Sequence, residues 1–430
     1  METVTADSPR NVLVRFAPMI YGPTLLFSLG EGAVIPLIPV IADRLGADVA
    51  VAALVAAALV VGQLCGNIPA GWAVARFGER LTMGTAGIVV LAGLVGIVFA
   101  PSLLIFAAAV FLIGFCAASF ALARHSFMTT RVPLHFRARA LSLLGGTFRL
   151  GMFVGPFISA ALLTVFGDEA ASVVFFAVCQ VATILLVFFG PDPEKAVPVG
   201  AGSPTRREPD AAADAEDSGE PVTGAIPTVE RVGVFRTMWR YRGVLARLGL
   251  AAASLSAVRS ARQVVLPLWG VSLGLDAGTI AVVVGVSGAI DFALFYASGQ
   301  VMDRFGRLWA ALPAMILMGA GFFALSFTHD LASAAMWYSL FAAVLGVGNG
   351  LSSGILLTLG ADIAPPSDPA AFLGSWRTLT DGGGAVAPLI VSALTAAVSI
   401  SVGVGAMGVI AVLGAVGFIR WVPRYVPRAR

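Results

Sequence analysis

Seven ionisable residues stand inside stretches that are otherwise apolar, small or Pro: Glu31, Arg149, Arg259, Arg262, Asp291, Arg377 and Asp381. Glu31, in FSLGEGAVIPLIP, is the only charge between Arg15 and Asp43. Within a bilayer, each such charge costs roughly 2.5–3.5 kcal/mol on insertion scales, so it persists where it faces a cavity or a partner. Two chemistries fit. A carboxylate away from water gains proton affinity and a neighbouring guanidinium reduces it. An acid whose arginine partner comes and goes with conformation therefore takes up and gives back a proton in step. Glu31 and Asp381 are the leading candidates for proton coupling, with Asp291 third. The arginines offer the second chemistry, because a guanidinium fork matches carboxylate or phosphate. Arg149, Arg259, Arg262 and Arg377 are thus candidate substrate-binding residues, with Phe27, Phe148, Trp269 and Trp376 as candidate cavity aromatics. Blander roles stand beside these. Arg377 and Asp381, four apart on one helix, can simply neutralise each other. A seam ion pair would explain Asp291, and most aromatics in such helices are packing or interface anchors.

The elements that must position these groups follow from composition. The chain has 430 residues, 58% hydrophobic and only 12% charged, with a mean hydropathy of +0.92. Soluble domains carry about 25% charged residues, so the expected class is an all-α integral membrane protein. A bilayer core needs roughly 20 apolar residues of helix. Twelve stretches qualify, near 17–42, 50–75, 82–100, 102–123, 140–165, 170–190, 244–272, 278–302, 308–328, 332–358, 372–396 and 400–420. They must be helices, because lipid offers no partner to an unpaired backbone amide. Residues 1–190 and 244–430 form two six-helix units. Between them, 191–243 is rich in Pro, Ala, Gly, Asp and Glu and reads as a cytoplasmic disordered linker. Its last part, TVERVGVFRTMWRYR, alternates bulky and basic residues and fits a surface helix or a plain linker end. Arginines gather in the N-terminus, the linker, the tail and alternate loops, whereas the other loops hold Arg44 against Asp43, Asp48, Asp168, Glu169, Asp276 and Asp330. By the positive-inside rule both termini and the linker are cytoplasmic, in the cell membrane. The three cysteines lie in apolar runs and the three histidines lack metal-ligand spacing. No cleavable signal peptide is apparent. No nucleophile–base pair, metal cluster or phosphate loop appears, so neither an enzyme nor a cofactor is expected.

The chain repeats itself. PLIPVIADRLGAD (36–48) matches VVLPLWGVSLGLD (264–276) at a shift of 228, which also carries GWAVARFGER (71–80) onto GQVMDRFGRL (299–308). A shift of 232 carries Pro133 to Pro365 and Pro156 to Pro388. These shifts place Glu31 on Arg259 and Arg149 on Asp381, so both halves carry the same two charged positions with signs exchanged. The expected pairs are Glu31 with Arg149 and Asp381 with Arg259. The alternative runs across the halves, Glu31 to Arg259 and Arg149 to Asp291. Parallel repeats about an axis along the membrane normal are the build of alternating-access transporters, with the site at the midplane between them.

These features resemble the major facilitator superfamily over nearly the whole chain. Gly299, Asp303, Arg304, Gly306 and Arg307 resemble its gate motif between helices eight and nine. Gly71, Arg76, Gly78 and Arg80 resemble the twin between helices two and three, which departs from the pattern at Ala75 and Glu79. The resemblance implies that the motif's glycines let helices approach and its charges clamp the cytoplasmic gate in one state. Gly151, Gly155 and Pro156 resemble the core of the motif of the drug/proton antiporter branch with twelve helices. Ser142, Ser159 and Ala160 depart from that motif, and no arginine precedes Arg124 in the fourth stretch, where many drug antiporters carry one. Sugar-porter signatures are missing. The resemblance implies a secondary transporter working by alternating access, with proton-coupled export of a small amphipathic molecule or drug as the leading expectation. Transport of an organic anion held by the midplane arginines is the alternative, and a non-transporting membrane sensor or scaffold the second. Expected partners are a small-molecule substrate, protons and the lipid bilayer, with no nucleic acid and a monomeric state.

Overall fold

A computed structural model describes residues 20–131, 134–190, 239–365 and 369–426. Among them twelve helices are long and apolar enough to cross a membrane. We number them α1 (Gly22–Arg44), α2 (Val49–Phe77), α3 (Glu79–Val98), α4 (Leu103–Arg131), α5 (Leu134–Phe166), α6 (Ala170–Phe189), α7 (Arg242–Ser272), α8 (Ala277–Phe305), α9 (Arg307–Leu325), α10 (Ala334–Asp362), α11 (Pro369–Ala397) and α12 (Ile400–Tyr425). No strand occurs among the described residues.

The repeat seen in the sequence is reproduced in backbone geometry. α2 and α8 each have 29 residues and begin and end at the 228 shift. Each starts on an aspartate cap: the Val51 amide donates to Asp48 at 2.8 Å and the Thr279 amide to Asp276 at 2.9 Å. The Thr279 hydroxyl also donates to Asp276, and these two bonds hold that carboxyl below the usual carboxylate range. The turns after α2 and α8 use Gly78 (φ 80°) and Gly306 (φ 91°), a left-handed conformation that only glycine adopts freely. All helix ends that carry the terminal segments lie on one side, here the terminal face; the α1–α2 and α7–α8 loops lie on the far face.

Three helices are locally irregular. α1 tightens into a 3-10 turn at Ile35–Leu37, where Pro36 removes a backbone donor. α7 opens on a π-turn, Leu245–Gly249, and already begins at Arg242, inside the span assigned to the linker. α10 is interrupted at Ser352–Gly354 in the run NGLSSG, with Gly354 at φ 77°. Gly/Ser pairs are common kink sites. The remainder of the linker, 191–238, and with it most of TVERVGVFRTMWRYR, lies outside the described residues.

The halves close against each other toward the far face. The Ser392 hydroxyl of α11 donates to the Ala50 carbonyl of α2 at 2.9 Å, and a Cβ added at Gly285 on α8 would lie 2.9 Å from the Phe157 ring on α5. Among the described residues the same seam is open toward the terminal face, with nothing within 4 Å of a Cβ added at Gly145, Gly146 or Gly299.

Candidate functional site

Small residues place the charged ones. A Cβ at Gly151 would fall 1.9 Å from Ser28 Oγ, and one at Gly155 would fall 2.5 Å from the Leu29 carbonyl. Gly32 faces the Met152 backbone in the same way, at 3.1 Å. α1 and α5 therefore touch backbone to backbone around Glu31, as small-residue stripes permit. In the second half Gly383, the counterpart of Gly151, meets the Ala253 carbonyl at 2.4 Å and draws α11 onto α7. Gly346 and Gly350 do the same for α10 on α8, facing Ser287 and Asp291.

Between the halves lies a cavity of ≈ 540 Å³. Its wall includes Glu31, Arg149, Arg259, Arg262, Asp291, Arg377 and Asp381, so all seven charges singled out in the sequence converge on one space. Phe27 and Phe148 also line it, while Trp269 and Trp376 do not. Trp376 is buried and its indole donates to the Leu356 carbonyl at 2.9 Å; Trp269 is buried against His329.

One of the cavity's ion pairs crosses the seam. Arg149 donates to Asp291 at 2.8 Å, linking α5 to α8. The Asn349 amide donates to the other Asp291 oxygen at 2.7 Å, and Arg262 stands 3.9 Å from it. Arg259 donates to the Asn349 carbonyl at 3.1 Å, and Arg262 to Ser287 at 3.2 Å. Three guanidiniums thus surround one carboxylate, with Asn349 relaying between Arg259 and Asp291. The expected pairs Glu31–Arg149 and Asp381–Arg259 do not form, because Arg149 is committed across the seam and Arg259 to α10. Asp381 instead meets Arg377 one turn away at 3.5 Å, with the Asn67 amide also at 3.5 Å. That pair is the most solvated of the set, with side-chain exposures of 58% and 37%, and marks the mouth toward the terminal face.

Glu31 is buried and has no direct ion pair among the described residues. Arg124, from α4, lines the same cavity wall. The fourth apolar run, 102–123, stops one residue short of Arg124. α4 instead continues to Arg131, about two turns beyond the apolar run, because HSFMTTR is polar yet compatible with helix. Arg124 lines the cavity between the Phe120 and Phe148 rings, at 5.7 and 5.1 Å, and its Nη1 is buried without a hydrogen-bond partner. Phe27 stacks on Phe120 at 4.7 Å. The uncharged polar groups Gln63, Asn67, Gln263 and Asn349, also on the wall, escaped the sequence reading; their one signal was an amide in an apolar run.

The gate-motif residues act within each half. Arg80 donates to the Val187 and Phe188 carbonyls at 2.7 and 2.6 Å, capping the end of α6. Arg307 donates to Asp362 at 2.8 Å, tying α9 to α10. Arg76 and Arg304 are exposed, the latter beside Phe305; the Asp303 side chain lies outside the described residues. Gly71 and Gly299 make no close approach in this conformation. No group able to hold a metal ion occurs among the described residues.

A family model described as Major Facilitator Superfamily matches residues 23–388. No curated protein matches the chain. Among solved structures, an auto-inhibited POT family peptide transporter superposes with a TM-score of 0.71 at 15% identity, covering 96% of this chain and 98% of that one. A POT family transporter in complex with a thioalcohol-conjugated peptide gives 0.74 at 10% identity, covering 97% of each chain. At these identities the likeness is one of fold.

Proposed function

The chain belongs to the major facilitator superfamily, and from that premise we propose a proton-coupled secondary transporter that moves a small amphipathic molecule bearing an acidic group. The observation that carries this reading is the charge of the cavity wall. It holds five arginines, Arg124, Arg149, Arg259, Arg262 and Arg377, against three carboxylates. Asp291 and Asp381 are already engaged, so the surplus is positive and partly dehydrated, where a guanidinium fork binds a carboxylate or phosphate best. Phe27, Phe120, Phe148 and Phe153 on the same wall suit an apolar body. The substrate class merges the amphipathic and the anionic expectations; a peptide, through its carboxylate, would fall within it. Glu31 serves as the proton carrier. It is buried on the cavity wall, has no direct ion pair among the described residues, and shares that wall with Arg124 of α4, so a shift of α1 against α4 changes its proton affinity. Export is the direction suggested by Gly151, Gly155 and Pro156, which resemble the antiporter motif.

We place the protein in the cytoplasmic membrane with its arginine-rich terminal face inside, so the open seam faces the cytoplasm. The halves then rock about the midplane cavity.

Binding and transport separate these assignments. A fluorescent aryl carboxylate and tetraphenylphosphonium are titrated against purified protein. Arg259→Gln should weaken the carboxylate about tenfold to a hundredfold, the value of one charge-assisted hydrogen bond, and leave the cation response unchanged. Binding of the cation alone would sink the acidic-substrate reading. In proteoliposomes, Glu31→Gln should retain carboxylate binding but lose flux driven by a pH gradient; intact coupling would remove Glu31 from the proton path.

A further inference from the structure

The terminal-face ends of α7 and α12 hold arginines that the cavity does not use. Arg247, on the π-turn that opens α7, has its guanidinium carbon 4.9 Å from the centroid of the Trp421 ring on α12. Its Nη1 donates to the Tyr425 hydroxyl at 2.9 Å. Arg420 and Arg424 approach the same indole, each at 5.3 Å. At the start of α7, Arg242 stands 4.8 Å over Trp239. These four arginines are exposed, and among the described residues no carboxylate pairs with any of them. Three like charges on one ring repel one another, and an indole face only partly offsets that repulsion. Setting membrane orientation requires arginines on this side of the bilayer, but it does not require three of them on one side chain. The arrangement is complementary to an anion that the protein itself does not supply.

Depth identifies the anion. Val416 and Ile419 lie deeper along α12 and are exposed apolar residues. With Arg420, Pro423 and Arg424 they wall a groove of ≈ 470 Å³. The groove thus has an apolar floor in the hydrocarbon zone and a guanidinium rim at headgroup level. Trp421 and Tyr425 sit at the boundary that such residues favour. A free phosphate would gain nothing from the floor, whereas a phospholipid uses both parts. Basic clusters at the membrane surface attract anionic lipid through this same field. We infer that this groove binds an anionic phospholipid, with its headgroup phosphate between Arg420 and Arg424 and an acyl chain along Val416 and Ile419, while Arg247, on the same Trp421 ring, adds to the positive field at its edge.

The test reads Trp421 directly. Full-length protein is reconstituted in phosphatidylcholine vesicles containing either brominated phosphatidylglycerol or brominated phosphatidylcholine at the same mole fraction. The difference in emission between wild type and Trp421→Phe isolates that ring. Brominated phosphatidylglycerol should quench it more strongly than brominated phosphatidylcholine, and Arg247→Gln/Arg420→Gln/Arg424→Gln should abolish the preference. Should the triple variant not elute as a single species, Arg420→Gln/Arg424→Gln, both exposed, should reduce the preference. Equal quenching by the two lipids in wild type, or a preference intact in the variants, overturns the site. Relief of quenching by inorganic phosphate, and not by sodium chloride of equal ionic strength, would identify a free-anion site and overturn the lipid assignment.

Discussion

Asp291 is the residue on which the most depends. It accepts from Arg149 and Asn349 and lies beside Arg262, so a single carboxylate compensates charge delivered by α5 and α7. Removing one partner of a buried pair costs about 3–5 kcal/mol, because the other charge is stranded. Arg149 and Asp291 retain side-chain exposures of 18% and 14%, which moves the expectation to the lower end of that range. Asp291→Asn should therefore lower the thermal unfolding midpoint in detergent by more than Arg149→Gln does, since it strands more than one guanidinium. Arg149→Leu/Asp291→Leu should lose less than Arg149→Leu and Asp291→Leu lose when summed. An Asp291→Asn protein as stable as wild type would remove the carboxylate from the centre of the network.

At the scale of helices, glycine positions decide which side chains can meet. A side chain at Gly151 would collide with Ser28 and with the backbone of α1, which cannot yield without displacing Glu31. Gly146, five residues earlier on α5, faces open space. Gly151→Val should abolish a monodisperse elution peak or lower the unfolding midpoint by many degrees. Gly146→Ala should fold normally, with a gain of up to about 1 kcal/mol from helix propensity. Comparable behaviour of the two variants would remove the close approach as the device that positions Glu31. The break in α10 acts in the same way: the interruption after Asn349 leaves the Ser352 carbonyl facing Arg259 at 3.5 Å while Asn349 spans the gap to Asp291.

For the whole molecule, the far-face closure is the feature that the proposed alternating access must undo. Ala50 and Ser392 belong to different halves and are in hydrogen-bond contact. With the three native cysteines replaced, Ala50→Cys/Ser392→Cys should cross-link under oxidant and arrest flux, and reductant should restore it. Flux that persists through a complete cross-link would contradict rocking of the halves about the cavity.

Much of this architecture was legible in one dimension. Lipid forces apolar runs into helices, so run length determined the twelve spans, and repeated turn residues such as Gly78 and Gly306 determined the two-fold build. The cost of intramembrane charge marked the seven ionisable residues that the cavity brings together. Partner choice was not legible, because it depends on the rotation and separation of helices far apart in sequence. Glu31 and Arg149 occupy facing helices of one half, yet Arg149 turns to Asp291 across the seam. Arg124 was hidden because apolar run length underestimates a helix that continues into polar residues. The local sequence sets which groups must be sheltered from lipid; only packing, through which backbones glycine allows to touch, sets which charge shelters which.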